Sequence, residues 1–231
     1  MFDRFLLFSD LNRIQSKLGV AKITCSSPYI PTYNIGFGDN VYVISNYQTK
    51  ELQQFKFGLK CIGDDIKYFI RAEGKRNIND DPNYSGSNAI FLIPGFNKII
   101  RSQRTLVLAD AFVVGIGNNA PRLIYLRDRQ RPFAFAGLWF KNMSVDGDEP
   151  EHSFAIITTV SNSLLAGFGL KRMPMILDNE QYNRWLNPST PLGEVLSMLC
   201  PYPTNKMNAY PISPRIADRT LNDKSLVTPN W

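Results

Sequence analysis

The sequence predicts one α+β domain over residues 1–231, built mainly from antiparallel strands with flanking helices. Two observations predict this class. Short segments of β-branched and aromatic residues recur from residue 41 to residue 159, whereas helical patterns are few and short. The chain also has 44% hydrophobic and 20% charged residues, which is ordinary for a globular protein large enough to bury a full core.

The first predicted element is a short helix. Ser9 and Asp10 precede apolar residues that are spaced at helical intervals from Leu11 to Leu18, and Gly19 follows them. Ser or Asp before such a pattern favours an N-cap, and Gly favours termination. We therefore predict a helix between Asp10 and Gly19.

Strands are predicted where such β-forming residues alternate or run together between turn residues. In chain order the predicted strands are 41–45, 55–59, 66–70, 105–108, 111–114, 123–126, 133–140 and 153–159. Segment 71–87 is polar and rich in Asn, Asp and Gly. We expect a long ordered loop there, and loops of this length are commonly functional.

Helical patterns return after the last predicted strand, at residues 162–167, 178–186 and 191–199. Asp178 and Thr190 are the predicted N-caps of the second and third of these helices. The tail that begins at Pro201 is rich in Pro and Asn, and we expect it to lie across the body of the domain. The large aromatic residues predicted to lie in the core are Phe133, Phe135, Trp139 and Trp185.

The charge balance favours an anionic partner, while the residues that bind metals are scarce. Lys and Arg number 26 against 20 Asp and Glu, a net charge of +6, and a basic surplus is typical of proteins that bind nucleic acid. The single histidine, His152, is predicted in an acidic surface loop, and Cys25, Cys61 and Cys200 form no CxxC motif. We expect buried free thiols, no metal and no cofactor.

No apolar run reaches the roughly 18 to 20 residues of a membrane-spanning helix, and the charged N-terminus does not resemble a signal peptide. We therefore expect a cytoplasmic protein, and we also expect it to be a monomer. Two weaker patterns do not change this interpretation. Residues 115–117 (GIG) lack the third glycine of a dinucleotide-binding loop, and the adjacent carboxylates at 64–65 and 80–81 point apart too much to favour a metal site.

Eight segments resemble, in the correct order, the SOS response-associated peptidase (SRAP) family. They read MFDRF, PTYNI, FGL, RAE, RTLVLADAF, PFAFAGLW, SFAIITT and RMPMIL, at residues 1–5, 31–35, 57–59, 71–73, 104–112, 132–139, 153–159 and 172–177. The family opens with Met-Cys-Gly-Arg-Phe and carries Asn-Ala-Arg-Ala/Ser-Glu where RAE stands here. Eight ordered matches over nearly the whole chain are highly specific.

The resemblance implies a barrel-like, mainly antiparallel sheet with flanking helices, and it implies a distinctive chemistry. Family members recognise abasic sites in single-stranded DNA and at junctions with duplex DNA. The α-amine and thiol of the N-terminal Cys, exposed by removal of the initiator Met, react with the ring-opened sugar aldehyde to give a thiazolidine crosslink. Asn, Glu and His assist, and the same groups are associated with self-processing at the N-terminus.

All four catalytic positions of the family fall on apolar residues here. The nucleophilic Cys falls on Phe2, the Asn on Phe69, the Glu on Val114 and the His on Leu170. A bulky residue at position 2 also blocks removal of Met1, which would leave the α-amine one residue too far out. We therefore expect the covalent reaction to be absent, and we interpret the four apolar residues as a hydrophobic filling of the old pocket.

At the positions that face DNA in the family, by contrast, this chain has basic residues. Arg4, Arg71 and Arg172 match positions that hold phosphates in the family, and Lys171 adds a charge beside them. A guanidinium group suits phosphate because it presents a planar fork of donors. Phe57 stands where the family has an aromatic wedge, so it is a candidate for base stacking.

Three functions remain open from the sequence. The first is a catalytically inactive SRAP-like module that binds single-stranded or junction DNA non-covalently, in a DNA-damage or SOS-type context. The second is an active SRAP-type enzyme, crosslinking abasic DNA or processing peptides, with relocated groups such as the Met1 amine or Cys61. The third is a protein-interaction paralogue whose groove has closed, with Arg71 paired internally, for example to Glu73.

Overall fold

The computed structural model describes residues 2, 4–25, 28–60, 66–128, 130–142 and 151–230. The strands in these residues are β1 (Arg4–Leu7), β2 (Lys22–Thr24), β3 (Thr32–Ile35), β4 (Asn40–Ser45), β5 (Glu51–Phe57), β6 (Leu59–Lys60), β7 (Ile66–Lys67), β8 (Phe69–Arg71), β9 (Arg104–Ala109), β10 (Ala111–Val114), β11 (Arg122–Leu126), β12 (Phe133–Lys141), β13 (His152–Val160), β14 (Arg172–Pro174), β15 (Ile176–Leu177) and β16 (Met207–Pro211). The α-helices are α1 (Leu11–Leu18), α2 (Phe96–Ser102), α3 (Ser163–Ala166), α4 (Tyr182–Leu186) and α5 (Leu192–Ser197).

The larger sheet closes on itself around β13. Its strands follow the order β14-β13-β12-β9-β4-β5-β2, and β5 pairs again with β13 in parallel, at Ser153 opposite Lys56. β8 also pairs with β13 in parallel, with Ile156 opposite Phe69. This closed, mainly antiparallel arrangement confirms the predicted fold class, and it gathers β5, β8, β12 and β14 around one strand.

A second sheet has the order β16-β11-β10-β1-β3 and packs beside the first. The chain passes from β9 of one sheet to β10 of the other at Asp110. The Asp110 carboxylate accepts hydrogen bonds from the backbone N–H groups of Phe8 and Ser9, at 2.6 and 2.5 Å. This contact fixes the end of β1, so the N-terminal strand is held against β10 with Phe5 opposite Phe112.

Helix α1 forms as its sequence predicts. The Asp10 side chain accepts from the Arg13 N–H at 2.9 Å, which satisfies one of the donors that a helix start leaves open. Gly19 ends the helix with a φ of 66°, a left-handed conformation that glycine adopts without steric cost.

The predicted strands all fall on observed strands, although 55–59 and 66–70 are each divided between two elements. The helix and strands that the prediction missed are α2, β1, β2, β3, β14, β15 and β16. β16 lies in the tail and pairs with β11, so the tail does lie across the domain. The predicted cap Thr190 is wrong, because its hydroxyl donates to the Arg184 carbonyl at 2.7 Å and α5 starts after Pro191.

His152 was predicted to lie in a surface loop, but it is the first residue of β13. Its half-buried ring stacks on Phe55, with 4.9 Å between ring centroids, and lies 5.5 Å from the ring of Trp139. The acidic residues before it suggested a loop, but the β-forming run that follows extends one residue further towards the N-terminus. Burial, and then the charge of Lys141, lower the pKa of His152 below its ordinary value.

This lowered pKa predicts a pH-dependent stability. The unfolded chain takes up a proton on His152 near pH 6.5, before the folded chain does, so stability falls as the pH drops from about 7 through that range. The loss stays below about 1 kcal/mol because the ring is half exposed. Urea unfolding at pH 7.5 and 5.5 measures it. We expect His152→Gln to remove the difference, and an equal difference in the variant would contradict this origin, since the chain has one histidine.

Within the described ranges, no helix is long and apolar enough to cross a membrane.

Candidate functional site

Phe2 is buried at the junction of the two sheets, with 2% of its surface exposed. Its ring contacts four other phenylalanine rings, at centroid distances of 5.0 to 6.4 Å. These rings belong to Phe5, Phe69, Phe112 and Phe135. Edge-to-face and offset aromatic pairs of this kind add to the stabilisation from burial alone. Position 2 is therefore part of the hydrophobic core.

Phe69 is the nearest of the four rings, at 5.0 Å from Phe2 with an interplanar angle of 70°. β8 carries it, and parallel pairing with β13 sets its register. Phe69 is half-buried, so its inner edge contacts the core while part of the ring reaches the surface. Two of the four positions that the family resemblance singled out are thus in direct aromatic contact.

Val114 and Leu170 complete this set at the edges of the same core. Val114 ends β10 and is buried, while Leu170 precedes β14 and is half-buried against the main hydrophobic cluster. The Leu170 N–H donates to the Leu165 carbonyl at 3.1 Å, which ties it to the end of α3. None of these four side chains can act as a nucleophile or transfer a proton, because each is a hydrocarbon.

Next to Phe69, two arginines share one carboxylate. Arg71 ends β8, and Arg172 begins β14 on the other side of β13. The Arg172 Nη1 donates to the Asp80 Oδ1 at 2.9 Å, and the Arg71 Nη2 donates to Oδ2 at 3.1 Å. The Arg71 Nη1 also donates to Asp80 Oδ1 and, at 3.1 Å, to the Asn77 carbonyl.

Arg172 has a second set of partners that keeps it buried. Its Nη2 donates to Glu73 Oε2 and to the Thr158 carbonyl, both at 2.7 Å, and its Nε donates to Thr158 Oγ1 at 3.1 Å. The Thr159 hydroxyl completes the network by donating to Glu73. A guanidinium group that is only 3% exposed requires this many acceptors, because an unpaired buried charge is strongly destabilising.

This network shows which acids pair with the two arginines and adds a residue that the sequence analysis missed. Glu73 was considered as an internal partner of Arg71, but Glu73 pairs with Arg172, and Arg71 pairs with Asp80. Burial alone would raise the pKa of Asp80, but the hydrogen bonds from Arg172 and Arg71 outweigh it and hold that pKa below its ordinary value. The sequence signal for Asp80 was weak, because a sequence does not show that a loop residue nine positions after Arg71 will fold back onto it.

The remaining basic candidates lie on either side of this network. Lys171 is exposed beside the buried Arg172. Arg4 is half-buried next to Gly36, where an added Cβ would come within 3.3 Å of the Arg4 Nε and 3.4 Å of the Arg219 Nε. Arg219 in turn donates to Asp39 at 2.7 Å. Arg4 therefore belongs to a second basic cluster, at the edge of the smaller sheet.

Phe57 does not have the exposure that base stacking requires. It is 1% exposed, and its ring stacks on Phe154 at a centroid distance of 5.1 Å. Phe5, Phe69 and Tyr68 lie around it at 5.7 to 5.9 Å. The expectation that Phe57 stacks on a base is wrong for this structure, because the ring is fully used in the core.

A surface cleft of about 280 Å³ opens beside the phenylalanine cluster around Phe2, and its lining includes Phe69 and Arg71. Its walls are mainly apolar, and Lys67 and Lys75 form an exposed basic rim. Ile78, which is 67% exposed, also lines it. An apolar cleft with cations at its edge suits a ligand that combines flat apolar groups with negative charge, as a nucleotide chain does.

The cysteines do not lie as expected. Cys200 is exposed and Cys25 is half-buried, whereas both were predicted to be buried; Cys61 lies outside the described residues, as does Met1. Burial raises the pKa of Cys25 to about 11, so its thiol is protonated at neutral pH and is a poor nucleophile. Over the residues that the structure describes, no group of three potential metal ligands comes together.

A larger cavity, of about 510 Å³, lies on the other face of the smaller sheet, lined in part by Phe8, Leu123 and Tyr210. Leu123 belongs to the smaller hydrophobic cluster on that face, together with Leu6. Phe5 and Phe112 point the opposite way, into the main core. The smaller sheet therefore separates this cavity from Phe2 and from the two arginines.

Comparison with known proteins identifies the family of this chain. A family model described as SOS response associated peptidase (SRAP) matches residues 1–219. Two curated relatives from Bacillus subtilis (strain 168) are each described as an abasic site processing protein. YoqW is 29% identical over 235 residues, covering 98% of this chain and 99% of the relative, and YoaM is 27% identical over 234 residues, covering 98% and 97%.

Two solved structures share the fold. A protein from Bacteroides thetaiotaomicron is 28% identical, with a TM-score of 0.66 over 84% of this chain and 82% of that one. A phage-related protein from Bordetella bronchiseptica is 21% identical, with a TM-score of 0.63 over 91% and 93%, and it supports the fold alone.

Proposed function

The chain belongs to the SOS response-associated peptidase family, and from that premise we propose that it binds DNA non-covalently and has lost the covalent chemistry of the family. The observation that carries this proposal is the burial of Phe2 among phenylalanine rings, at the position of the family's nucleophile. A packed hydrocarbon ring offers neither a thiol nor a free amine to a sugar aldehyde. The preferred ligand is single-stranded or junction DNA, in a DNA-damage context.

The basic groups around the cleft support DNA as the ligand. Lys67 and Lys75 are exposed at its rim, and Lys171 is exposed beside the arginine network. The Arg71 side chain is 36% exposed and lines the same cleft. Exposed cations around an apolar cleft match the phosphates and bases of a single strand, and such contacts make binding dependent on salt.

Fluorescence anisotropy with a labelled single-stranded oligonucleotide tests this proposal. We expect binding at 50 mM salt, and affinity about 20-fold weaker at 200 mM if three phosphates are contacted. Replacing both Lys67 and Lys75 with Ala should weaken binding and lower the salt slope by about 1.4.

The matched control is the pair Lys22→Ala and Lys50→Ala. These lysines are exposed where β2 meets the start of β5, at the opposite end of β5 from Phe57. This double variant should bind as the wild type does. Absence of binding at 50 mM salt, or binding that salt does not affect, would overturn the proposal.

A second candidate function is a protein-interaction module with a closed groove. The pairing of Arg71 and Arg172 with carboxylates favours it, because both arginines are neutralised within the chain. The same titration separates the two candidates. A folded protein that fails to bind any oligonucleotide at 50 mM salt would favour the closed groove over DNA binding.

A further inference from the structure

Asp80 occupies the position that a bound anion would take between Arg71 and Arg172. Its two oxygens accept from Nη1 and Nη2 of Arg71 and from Nη1 of Arg172. Forked guanidinium groups bind a phosphate group through the same kind of donor arrangement. The carboxylate comes from a loop, whereas the two arginines come from strands fixed on either side of β13.

The charges show what removal of Asp80 would leave. Arg71, Arg172, Glu73 and Asp80 form a cluster of two positive and two negative charges, which sum to zero. Without Asp80, Glu73 still pairs with Arg172 at 2.7 Å. The cluster would then have one net positive charge, with Nη donors of both arginines directed at the empty position.

The loop that carries Asp80 is held by contacts that do not involve its carboxylate. The Asn77 side chain accepts from the Asp81 N–H at 2.8 Å and donates to the Asp81 carbonyl at 3.1 Å. Gly74, at a φ of 58°, lets the loop leave β8 close to Ala89, where an added Cβ would lie 2.7 Å from a carbonyl oxygen. Asp80 can therefore release the arginines while the loop stays anchored.

Asp80 is also accessible from the cleft side of the molecule. Its side chain is 16% exposed, next to the Arg71 side chain that lines the cleft. Its φ of 55° is a left-handed conformation, which Asp adopts more readily than most residues but which still favours Asn and Gly. The conformation thus adds no barrier to replacing this residue.

We propose that Asp80 is an internal competitor for a phosphate group of the DNA backbone, and that it sets the affinity of the arginine pair for DNA. The inference rests on the proposed DNA-binding function, and it identifies Asp80 as the residue that regulates binding at that same site. In this account the backbone phosphate displaces the Asp80 carboxylate and accepts from Arg71 and Arg172 in its place. Asp80 then limits binding to ligands that supply other contacts in the cleft.

Asp80→Asn is the direct test, and Asp81→Asn is its matched control. Asp81 accepts from the Asn83 N–H at 2.9 Å, and its side chain has no ion pair in the described part of the chain. Asp80→Asn should bind the single-stranded oligonucleotide about tenfold more tightly than the wild type, the effect of freeing one charged hydrogen-bonding group. The salt slope should steepen by about 0.7, and Asp81→Asn should match the wild type.

Inorganic phosphate gives a second readout that does not need DNA. An anion that binds only the folded chain raises the melting temperature. We expect phosphate, compared with chloride at equal ionic strength, to raise the melting temperature of Asp80→Asn more than that of Asp81→Asn. Asp80→Gly, which suits the left-handed backbone and removes the carboxylate, should behave in the same way and serves if the Asn variant folds poorly.

The two readouts separate the two claims. Equal phosphate responses and equal DNA affinities in the Asp80 and Asp81 variants would overturn the role of Asp80, whether or not the wild type binds DNA. A phosphate response confined to the Asp80 variants, without DNA binding by any variant, would support the anion site and refute the DNA function.

Discussion

Phe2→Ala should destabilise the protein by about 3 to 5 kcal/mol, the usual cost of truncating a buried phenylalanine. The ring is 2% exposed and touches Phe5, Phe69, Phe112 and Phe135, so its removal leaves a cavity bounded by rings from four different strands. Those strands belong to both sheets and cannot all move inward to fill the space. Against a typical total stability of about 5 to 15 kcal/mol, such a loss is large.

Urea unfolding of the variants measures this effect through the midpoint, with the slope expected to stay constant. Leu92→Ala is the control, because Leu92 is 58% exposed and its truncation should change stability by less than about 0.5 kcal/mol. Phe2→Leu keeps a bulky second residue, and so keeps N-terminal processing unchanged, and should give an intermediate loss. A loss below about 1 kcal/mol in Phe2→Ala would show that position 2 is not a packed part of the core.

The sequence was sufficient for elements whose pattern is local. Helix α1 follows from Asp10 and Gly19, and the long strands β12 and β13 follow from their continuous β-forming runs, because a strand buried on both faces is apolar at successive positions. The missed strands are short, and most depend on partners far along the chain; they are β1, β2, β3, β14, β15 and β16. Their apolar alternation is too brief to exceed that of an ordinary loop.

The candidate site, like the fold, could be predicted only in part from the sequence. The sequence placed Phe2 and Phe69 at one site through motif resemblance, and the structure brings their rings to 5.0 Å. The sequence signal for Asp80 as a partner of the arginines was weak, because an Asp in an Asn-rich loop usually caps a turn. From the sequence, Phe57 was also mistaken for an exposed ring, since an aromatic residue in a strand can face either the core or the solvent.

The arginine network lies beside the apolar residues around Phe2 and has its own buried contacts. Arg172 is bound by the side chain of Glu73 and by the hydroxyl and carbonyl of Thr158. A buried charge with a full set of acceptors is costly to disturb, which helps to hold β14 beside β13. Arg71, which is paired with Asp80, is the more exposed member of the pair and lines the cleft.

The second large expected effect is the complete absence of a covalent product. An oligonucleotide with one abasic site is incubated with the protein, treated with borohydride, and resolved on a denaturing gel beside a family member that begins Met-Cys. The family member should give a shifted band. This chain should give none under the same conditions, because Phe2 supplies no thiol and is packed away from any sugar aldehyde. A shifted band from this chain, at a yield comparable with that of the family member, would contradict the account.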